Sequence, residues 1–256
     1  MPLISVVTPA KITSRQDVRF LLDAYESLCN QQDIGNWEWE WLIQEDGEKC
    51  RLLEHLPDDE RIRYAATGAS FGAASNRNLA LSRANGEIIR NLDHDDLLLP
   101  RGLAVSIELL TLYPSAQWCA GERITKTQRL TDSSPNSDML DEGIVARNRI
   151  FDLFEESRHF HVHCAGIAAR PNALRQVGGW SGLPRSEDTS MLCRLNYAYE
   201  GAYSREPTFV YRKHASQSSS SAWSRALLED CHSFIVKQQQ ALCESSSREA
   251  SNGSHL

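Results

Sequence analysis

The chain has 256 residues, 41% of them hydrophobic and 24% charged, with a formal net charge of −7. This length suits one large domain or two small ones, and the composition is that of an ordinary globular protein. The acidic balance argues against a nucleic-acid-binding protein, which needs a basic face to meet phosphates, but it allows a local basic pocket for one phosphate-bearing ligand.

Cysteines and hydropathy bear on the cellular compartment. The 7 cysteines are scattered, without a CxxC pair, which favours reduced thiols in a cytoplasmic protein over a disulfide framework. The first residues, MPLISVVTPA, are too short and too soon polar for a signal peptide. No run of residues is long and apolar enough to cross a bilayer. We therefore expect a cytoplasmic protein without a transmembrane segment.

The first half of the chain alternates strand and helix patterns. The β-branched run LISVVTP predicts a buried strand that ends at Pro9, and Ser14 is placed to cap the helix that follows. Strand patterns recur in WEWEWLIQEDG, IRYAA, EIIRNLD and AQWCAGERI, with helical segments between them. This alternation predicts an α/β fold with a Rossmann-like, mostly parallel sheet flanked by helices.

Polar residues follow three of these strands. They are Thr8-Pro9, Asp46-Gly47 and the run Asp93-His94-Asp95-Asp96. In a parallel sheet ligands bind beyond the carboxyl ends of the strands, so we expect these residues to be neighbours. The clustered carboxylates are hard oxygen ligands that suit Mg²⁺ or Mn²⁺, ions that often share their shell with substrate phosphates. The alternative is an exposed acidic turn in which Asp96 caps the next helix.

The second half of the chain is less regular. Residues 126–160 give no clear pattern, and HFHVHCAGIAARPNALRQVGGW then predicts a strand and a helix that begins at Pro171. A helix with Glu187 and Asp188 at its start follows, then a strand that ends at His214 and an amphipathic terminal helix. The final residues, SSSREASNGSHL, have a low-complexity composition that predicts disorder over 246–256.

Three histidines alternate along the predicted strand of this half. A spacing of two places His159, His161 and His163 on one face. Three imidazoles could bind zinc, although no nearby partner sequence supports such a site. Lining of a ligand cleft, or ordinary packing, accounts for the pattern better.

Five segments resemble, in the same order, the motifs of family 2 glycosyltransferases, which are inverting enzymes with the GT-A fold. ISVVTPAKI resembles the first strand, and LLDAYESLCNQQDIGNWEWEWLIQEDGE resembles the following helix and the DDGS turn. GAASNRNLALSRANGEIIRNLDHDD resembles the block with the DXD motif, VGGWSGLPRSEDTSMLCRL the ED block, and VYRKH the late histidine segment. One such motif is weak evidence, whereas five in order over about residues 3–215 are strong.

The resemblance implies a role for each matching residue. Thr8, Pro9, Ala10 and Asp46 would line the nucleobase and ribose pocket at the strand ends. Arg77, from a helix, would contact the base or the diphosphate, Asp93 would bind the ribose or the edge of the metal site, and His94 would also be on the donor side. Asp95 would be the chief ligand of Mg²⁺ or Mn²⁺, and His214 would approach the same ion or the donor diphosphate. Asp188 would be the general base, although without the resemblance it would be an ordinary acid at a helix N-terminus. The acceptor side would include Glu187, His163 and Trp180, of which Trp180 would be either a stacking platform or part of the core.

Two departures from the family pattern bear on the donor. Glu45-Asp46-Gly47-Glu48 stands in place of DDGS, and Ala10-Lys11 replaces the usual aromatic or polar pair after the first-strand proline. Base preference therefore stays open. We expect residues 1–120 to form the nucleotide-sugar half of one GT-A domain, and residues 121–245 to form its acceptor-binding and catalytic half, followed by the tail at 246–256.

The function that the resemblance implies is metal-dependent, inverting glycosyl transfer of the hexosyl or N-acetylhexosaminyl type. The donor would be a nucleotide-diphosphate sugar, with UDP-sugars expected first. The acceptor would be a hydroxyl or amine of a glycan, a lipid-linked sugar or a small natural product, with or without a carrier. Two alternatives are a sugar-phosphate nucleotidyltransferase and a non-catalytic nucleotide-sugar-binding domain. The Trp-rich segment 37–41 and the terminal helix would serve either a homodimer contact or internal packing.

Overall fold

The computed structural model of the chain describes residues 1–49, 51–127, 131–132, 140–158, 161–215, 217 and 225–253. Its strands are β1 (Leu3–Ala10), β2 (Glu38–Glu45), β3 (Ile62–Ala66), β4 (Ile88–Asn91), β5 (Leu97–Leu98), β6 (Trp118–Lys126), β7 (Thr131–Asp132), β8 (Gly143–Val145), β9 (Ile167–Ala169) and β10 (Gly201–Arg212). Its α-helices are α1 (Arg15–Cys29), α2 (Gly72–Arg83), α3 (Gly102–Leu112), α4 (Arg149–Ser157), α5 (Pro171–Gln176), α6 (Glu187–Ala198) and α7 (Arg225–Gly253). Two short 3₁₀ helices cover Leu52–His55 and Cys164–Gly166.

The strands form one mixed sheet in the order β3-β2-β1-β4-β9-β6-β10-β5, with β7 beside β6 and β8 beside β10. The first four strands are parallel, as predicted. The three-residue strand β9 is antiparallel to both β4 and β6. Because two antiparallel steps restore the direction, β6 and its parallel partner β10 run the same way as β4. The carboxyl ends of β1, β2, β4, β6 and β10 therefore lie at one edge of the sheet.

Helices cover both faces of this sheet, and the alternation of side chains in β1 separates two cores. Ile4 and Val6 face the layer of α1 and α3, whereas Val7 faces α2 and the layer of α4, α5 and α6. Full burial of one such aliphatic side chain contributes about 1.5–3 kcal/mol. The predicted α/β architecture is confirmed. The additional antiparallel strands are short, and the periodicity of a sequence does not reveal the direction in which a strand runs.

The ends of β1 and α1 show how local chemistry sets element boundaries. Ser14 Oγ accepts a hydrogen bond from the Asp17 N–H, and Asp17 Oδ2 accepts one from the Ser14 N–H, which confirms the predicted cap as a full capping box. The prediction that Pro9 ends the first strand is wrong, because β1 continues to Ala10. Pairing of β1 with β4 stops at Val7, so no partner on that side requires the N–H that proline lacks.

The predicted face of three histidines on one strand is wrong. His161 lies outside any strand and His163 is the N-cap of the 3₁₀ helix Cys164–Gly166. His159 is outside the described residues. The turn forms because Arg90 and Asn91 of β4 donate to the carbonyls of Ala165 and Cys164, at 2.5 and 3.1 Å. The strand that follows this turn is the short β9, Ile167–Ala169.

The terminal helix is longer than its sequence pattern predicts. α7 runs from Arg225 to Gly253, into the segment whose composition predicts disorder. That segment is rich in serine but has no proline, and its first glycine is the residue at which the helix ends. Among the described residues, no helix has the length and apolar character needed to span a membrane.

Candidate active site

Chain segments that follow separate strands meet at the carboxyl edge of the sheet. The turn Asp93–Asp96 follows β4 and is closed by a hydrogen bond from the Asp96 N–H to the Asp93 carbonyl, at 3.0 Å. It leads directly into β5, whose Leu98 pairs with Phe209 of β10. The acidic turn thus crosses the edge from β4 toward the end of β10, although β9 and β6 separate these strands in the sheet.

An aspartate and a histidine contact each other at this crossing. Asp95 Oδ2 lies 2.9 Å from His214 Nε2, and these side chains are 16% and 10% exposed. The His214 ring also packs against Phe20 of α1, with 4.7 Å between ring centroids. Residues distant in sequence, at the positions predicted for metal ligation, are thereby brought together.

The chemistry of this pair fits a divalent ion. A carboxylate oxygen and an imidazole nitrogen are both donors to Mn²⁺, and Mg²⁺ is usually held by one or two carboxylates together with substrate phosphates. Within the described part of the chain, no cluster of three or more His, Cys, Asp or Glu residues is arranged to hold a metal. Asp95 and His214 could therefore hold an ion that takes its remaining ligands from water or substrate oxygens, and they do not form a closed protein cage.

Asp96 has a different role from its neighbours. It is 1% exposed, and its Oδ1 accepts a hydrogen bond from the Arg212 N–H at 3.0 Å. Its Oδ2 has no hydrogen-bond partner among the described residues. Burial, followed by the charges of Asp95 and Asp93, raises its pKa well above the ordinary value. The alternative of an exposed turn with Asp96 as a helix cap is wrong, because Asp96 is buried and α3 begins only at Gly102.

Arg77 bridges the acidic turn to the start of α6. Its Nη2 lies 2.6 Å from Asp93 Oδ1, and its Nη1 lies 3.1 Å from Glu187 Oε1. Burial by itself would lower the pKa of Arg77, which is 4% exposed, but the negative charges of Asp93 and Glu187 outweigh burial and raise it. Both terminal nitrogens contact protein carboxylates, so Arg77 bridges the acidic turn and α6, and its contact with the donor stays a prediction.

Asp188 stands beside Glu187 in the first turn of α6. Its Oδ1 accepts a hydrogen bond from the Thr189 N–H at 2.8 Å. Burial, and then the neighbouring charge of Glu187, raise the pKa of Asp188 to about 7, against a lowering effect of Arg77. An ordinary acid at a helix N-terminus has its pKa lowered by the helix dipole. The pKa of Asp188 therefore departs from that of an ordinary helix N-terminal acid, and a carboxyl group with a pKa near 7 can exchange a proton near neutrality.

Both oxygens of the Asp46 carboxylate, which directly follows β2, accept hydrogen bonds from protein groups. The N–H groups of Phe71 and Gly72 donate to its Oδ1 at 2.7 and 3.1 Å, as does Asn76 Nδ2 at 2.9 Å. Ser70 Oγ donates to its Oδ2 at 2.8 Å. Burial alone would raise the pKa of Asp46, but these hydrogen bonds prevail and lower it. Asp46 thus anchors the loop that leads into α2.

Glu45, at the first position of the altered DDGS turn, is engaged in the same way. Its carboxylate accepts hydrogen bonds from the N–H groups of Arg51 and Leu52, at 3.1 and 3.2 Å, and from the Tyr64 hydroxyl at 2.5 Å. The longer glutamate side chain reaches the 3₁₀ helix Leu52–His55. This substitution stabilises a neighbouring loop.

The end of β1 is packed. Thr8 and Ala10 are buried in the core beside α1, and Pro9 is buried as well. Thr8 Oγ1 accepts a hydrogen bond from Trp41 Nε1 at 2.8 Å. The Asp46 N–H donates to the Ala10 carbonyl at 2.7 Å, which ties the two strand ends together. Contact of these residues with a nucleotide stays a prediction.

The predicted acceptor residues divide between core and site. Trp180 is 2% exposed and packs in the core, with its main chain held by Asn78 in two hydrogen bonds of 2.9 Å. This position differs from that of an exposed stacking platform and matches the core alternative.

His163 is half-buried, and its ring centroid lies 4.5 Å from that of Tyr211. Burial lowers the pKa of His163 to about 4, so the imidazole is neutral near neutrality. His94 is half-buried in the acidic turn.

The sequence patterns do not single out three further residues at this edge. Arg212 binds the acidic turn, Phe20 packs against His214, and Asn76 supports Asp46. Arg212 stands two residues before His214 inside the VYRKH motif, which was a signal in the sequence. Asn76 stands directly before Arg77 inside the GAASNRNLALSRANGEIIRNLDHDD block, whereas Phe20 occupies an ordinary helical position that no motif marks.

Comparisons with known proteins agree with this architecture. The sequence model described as Glycosyl transferase family 2 matches residues 5–172. Over 132 residues the chain is 32% identical to WcaA of Escherichia coli, named as a colanic acid biosynthesis glycosyl transferase. The aligned residues make up 47% of this chain and 45% of that relative. The chain spans less than half the length of the curated relatives it matches.

Two solved structures have a similar fold. S. aureus TarS 1–349 in complex with UDP-GlcNAc has a TM-score of 0.66 at 16% identity, over 88% of this chain and 62% of that one. The mannosyltransferase PcManGT from Pyrobaculum calidifontis, in complex with GDP-Man and Mn²⁺, has a TM-score of 0.58 at 15% identity, over 84% of this chain and 57% of that one. At these identities the likeness establishes the GT-A fold alone.

Proposed function

The chain belongs to glycosyltransferase family 2, and on that premise we propose that it transfers a sugar from a nucleotide-diphosphate sugar to an acceptor hydroxyl or amine, with inversion at the anomeric carbon. One observation carries the proposal. Asp188, whose pKa is raised to about 7, neighbours Glu187, which Arg77 links to Asp93 of the turn that also bears Asp95. A group able to accept a proton is thus linked through Glu187 and Arg77 to the turn whose Asp95 forms a pair able to hold a metal-bound diphosphate.

The donor half of the reaction rests on the carboxyl edge of the sheet. Asp95 and His214 would hold a divalent ion, Mg²⁺ or Mn²⁺, which when bound supplies positive charge to a leaving diphosphate. Asp46 keeps the loop before α2 in place beside the end of β1, where the nucleoside would lie. TarS is known with UDP-GlcNAc and PcManGT with GDP-Man and Mn²⁺, and a UDP-sugar is the donor we expect first.

The acceptor half of the reaction rests on Asp188. As the acceptor oxygen or nitrogen attacks the anomeric carbon, Asp188 takes its proton. The bond from that carbon to the diphosphate oxygen breaks at the same time, and attack from the opposite side inverts the centre. Arg77 holds Glu187 at 3.1 Å, which keeps the neighbouring acid from turning toward the base. The acceptor is a glycan, a lipid-linked sugar or a small molecule.

The two alternative functions find less support. A nucleotidyltransferase would need a glycine- and lysine-rich phosphate loop after the first strand, and that segment offers only the exposed Lys11 and Arg15. A non-catalytic nucleotide-sugar-binding domain would not need a carboxyl group such as Asp188, whose pKa is raised to about 7, because binding does not require proton transfer.

A thermal-shift titration tests the proposal. The chain is mixed with UDP, GDP, dTDP or CDP, each with and without Mn²⁺, because a ligand that binds only the native state raises the melting temperature. We expect one nucleotide to give a metal-dependent shift that Asp95→Ala abolishes. Asp58→Ala, which removes an exposed aspartate at a distance from this edge, is the matched control and should keep the shift. No shift with any nucleotide would overturn the proposal.

A further inference from the structure

We propose that Arg212 is a positioning residue that holds the two ligands of the metal site, Asp95 and His214, at a fixed distance from each other. The inference rests on the proposed function and extends it to a residue outside the motif carboxylates. Arg212 is the last residue of β10, two positions before His214. Its side chain is 12% exposed, and every nitrogen of its guanidinium has a partner.

The first set of contacts reaches the acidic turn. Arg212 Nε donates to the main-chain carbonyl of Asp95, and the Arg212 N–H donates to Asp96 Oδ1. These bonds fix the main chain of the residue whose side chain meets His214. They also explain why Asp96 is buried, since its carboxylate accepts from the β10 backbone, where it cannot face an ion.

The second set of contacts reaches α1. Arg212 Nη2 donates to the Phe20 carbonyl at 2.9 Å, and Nη1 donates to Asp23 Oδ2 at 2.7 Å. The guanidinium also lies over the Phe20 ring, 4.4 Å from its centroid. Since the His214 ring packs on the same phenylalanine, Phe20 is shared by Arg212 and His214 and limits the rotation of the imidazole.

The third set of contacts shapes the main chain between Arg212 and His214. Gln217 Nε2 donates to the Arg212 carbonyl at 2.6 Å, and the His214 N–H donates to Gln217 Oε1 at 3.1 Å. The segment that carries the imidazole is therefore closed on Arg212 itself. A lysine could keep the charge, but its one ammonium group lacks the separate guanidinium nitrogens with which Arg212 reaches the turn and α1.

Residues that orient metal ligands typically change metal affinity by 10- to 100-fold when they are mutated, because the ligands lose their geometry. A merely structural ion pair between β10 and α1 would change stability and leave the affinity for the ion intact in the folded protein. Metal affinity measured on folded protein therefore separates these two roles.

The experiment compares Arg212→Lys and Arg212→Gln with Arg61→Gln. Arg61 is a matched control, since its guanidinium pairs with Asp59 at 2.6 Å and lies 3.8 Å from the Trp39 ring centroid, at the other end of the sheet. Mn²⁺ is titrated by electron paramagnetic resonance in the presence of UDP, well below the melting temperature of each variant. Binding of UDP without metal is measured alongside. We expect the Mn²⁺ dissociation constant to rise at least about tenfold in Arg212→Lys, with metal-free UDP binding and the Arg61→Gln control unchanged.

Two outcomes overturn this inference, and they differ from failure of the proposed function. If Arg212→Lys binds Mn²⁺ as tightly as the wild type, the positioning role is wrong. If it loses metal-free UDP binding to the same degree, the role is general and not directed at the ion. If Arg212→Gln does not fold, Arg212→Lys decides. A wild-type chain that binds no Mn²⁺ with any of the four nucleotides would instead overturn the proposed function itself.

Discussion

Two aspartates near the carboxyl edge of the sheet have opposite surroundings. Asp46 accepts hydrogen bonds from Ser70, Phe71, Gly72 and Asn76, which lower its pKa despite burial. Asp188 receives a hydrogen bond from the first turn of its own helix and lies beside another acid, and burial raises its pKa to about 7. Both occupy acidic motifs of the family, yet the first is kept ionised by protein donors and the second is ready to take up a proton.

The contrast shows that acids of the same site differ in their proton affinity. A carboxylate surrounded by hydrogen-bond donors stabilises the loop that carries those donors, and its proton affinity is low. A carboxylate that burial and a neighbouring charge destabilise has proton affinity to use in catalysis. We therefore propose that Asp46 and Glu45 stabilise the loops of the donor side, whereas Asp188 is the base of the acceptor side. The following experiments test that division.

The largest effect is expected for Asp188→Asn. The amide cannot accept a proton, so kcat should fall about 10²- to 10⁴-fold, while the metal-dependent nucleotide shift stays. The measurement is steady-state turnover with the donor class that the nucleotide titration identifies. Asp152→Asn, which changes an acid in the first turn of α4, is the control and should keep full activity. Unchanged turnover in Asp188→Asn would remove Asp188 from the mechanism.

Asp46→Ala tests the other side of the comparison. Since hydrogen bonds to a charged group contribute about 1.5–3 kcal/mol each, and the loop relaxes in part, we expect the free energy of unfolding to drop by about 3 kcal/mol. Denaturant unfolding measures this loss. Asp188→Ala in the same assay should lose far less. Equal losses of unfolding free energy in the two variants would show that the difference in hydrogen bonding between Asp46 and Asp188 does not affect stability.

The pH dependence of turnover is the third test. Because only ionised Asp188 accepts a proton, kcat/KM should fall about tenfold per pH unit on the acid side of about pH 7. The positive charge of Arg77 lowers the pKa of Asp188, so Arg77→Gln should move this limb to higher pH. Arg77→Lys, which keeps the charge, should move it less. A flat profile on the acid side of neutrality would contradict the assignment.

The last test concerns stability against pH. The folded pKa of Asp188, about 7, exceeds its unfolded value of about 4, so the folded state binds more protons between these values. The contribution of Asp188 to the free energy of unfolding should therefore decrease as pH rises from about 4 to about 7, and Asp188→Asn should lack this decrease. Asp46 has the opposite sign, since its pKa is lowered, and its contribution should be lost as pH falls through the acid range. Parallel curves for wild type and Asp188→Asn would contradict the first statement.

The sequence by itself determined the architecture and the positions of the acids. β-branched runs alternating with amphipathic helices predict the parallel half of the sheet, because burial of apolar faces depends on local periodicity. The motif order predicts Asp95, Asp188 and His214 as site residues, and the structure brings Asp95 and His214 to 2.9 Å. The capping box is likewise local chemistry, which Ser14 and Asp17 encode three positions apart.

Only the tertiary structure decided how each acid is used. The pairing of Arg77 with Glu187 joins residues 110 positions apart, and that of Arg212 with Asp23 joins residues 189 apart. No local pattern reveals such partners, since they depend on the crossing of the acidic turn toward β10 and on the inserted antiparallel β9. Burial and hydrogen bonding then raise the pKa of one aspartate and lower that of another. The residue types set which chemistry is available, and long-range packing gives each carboxylate its own hydrogen-bond partners and its own pKa.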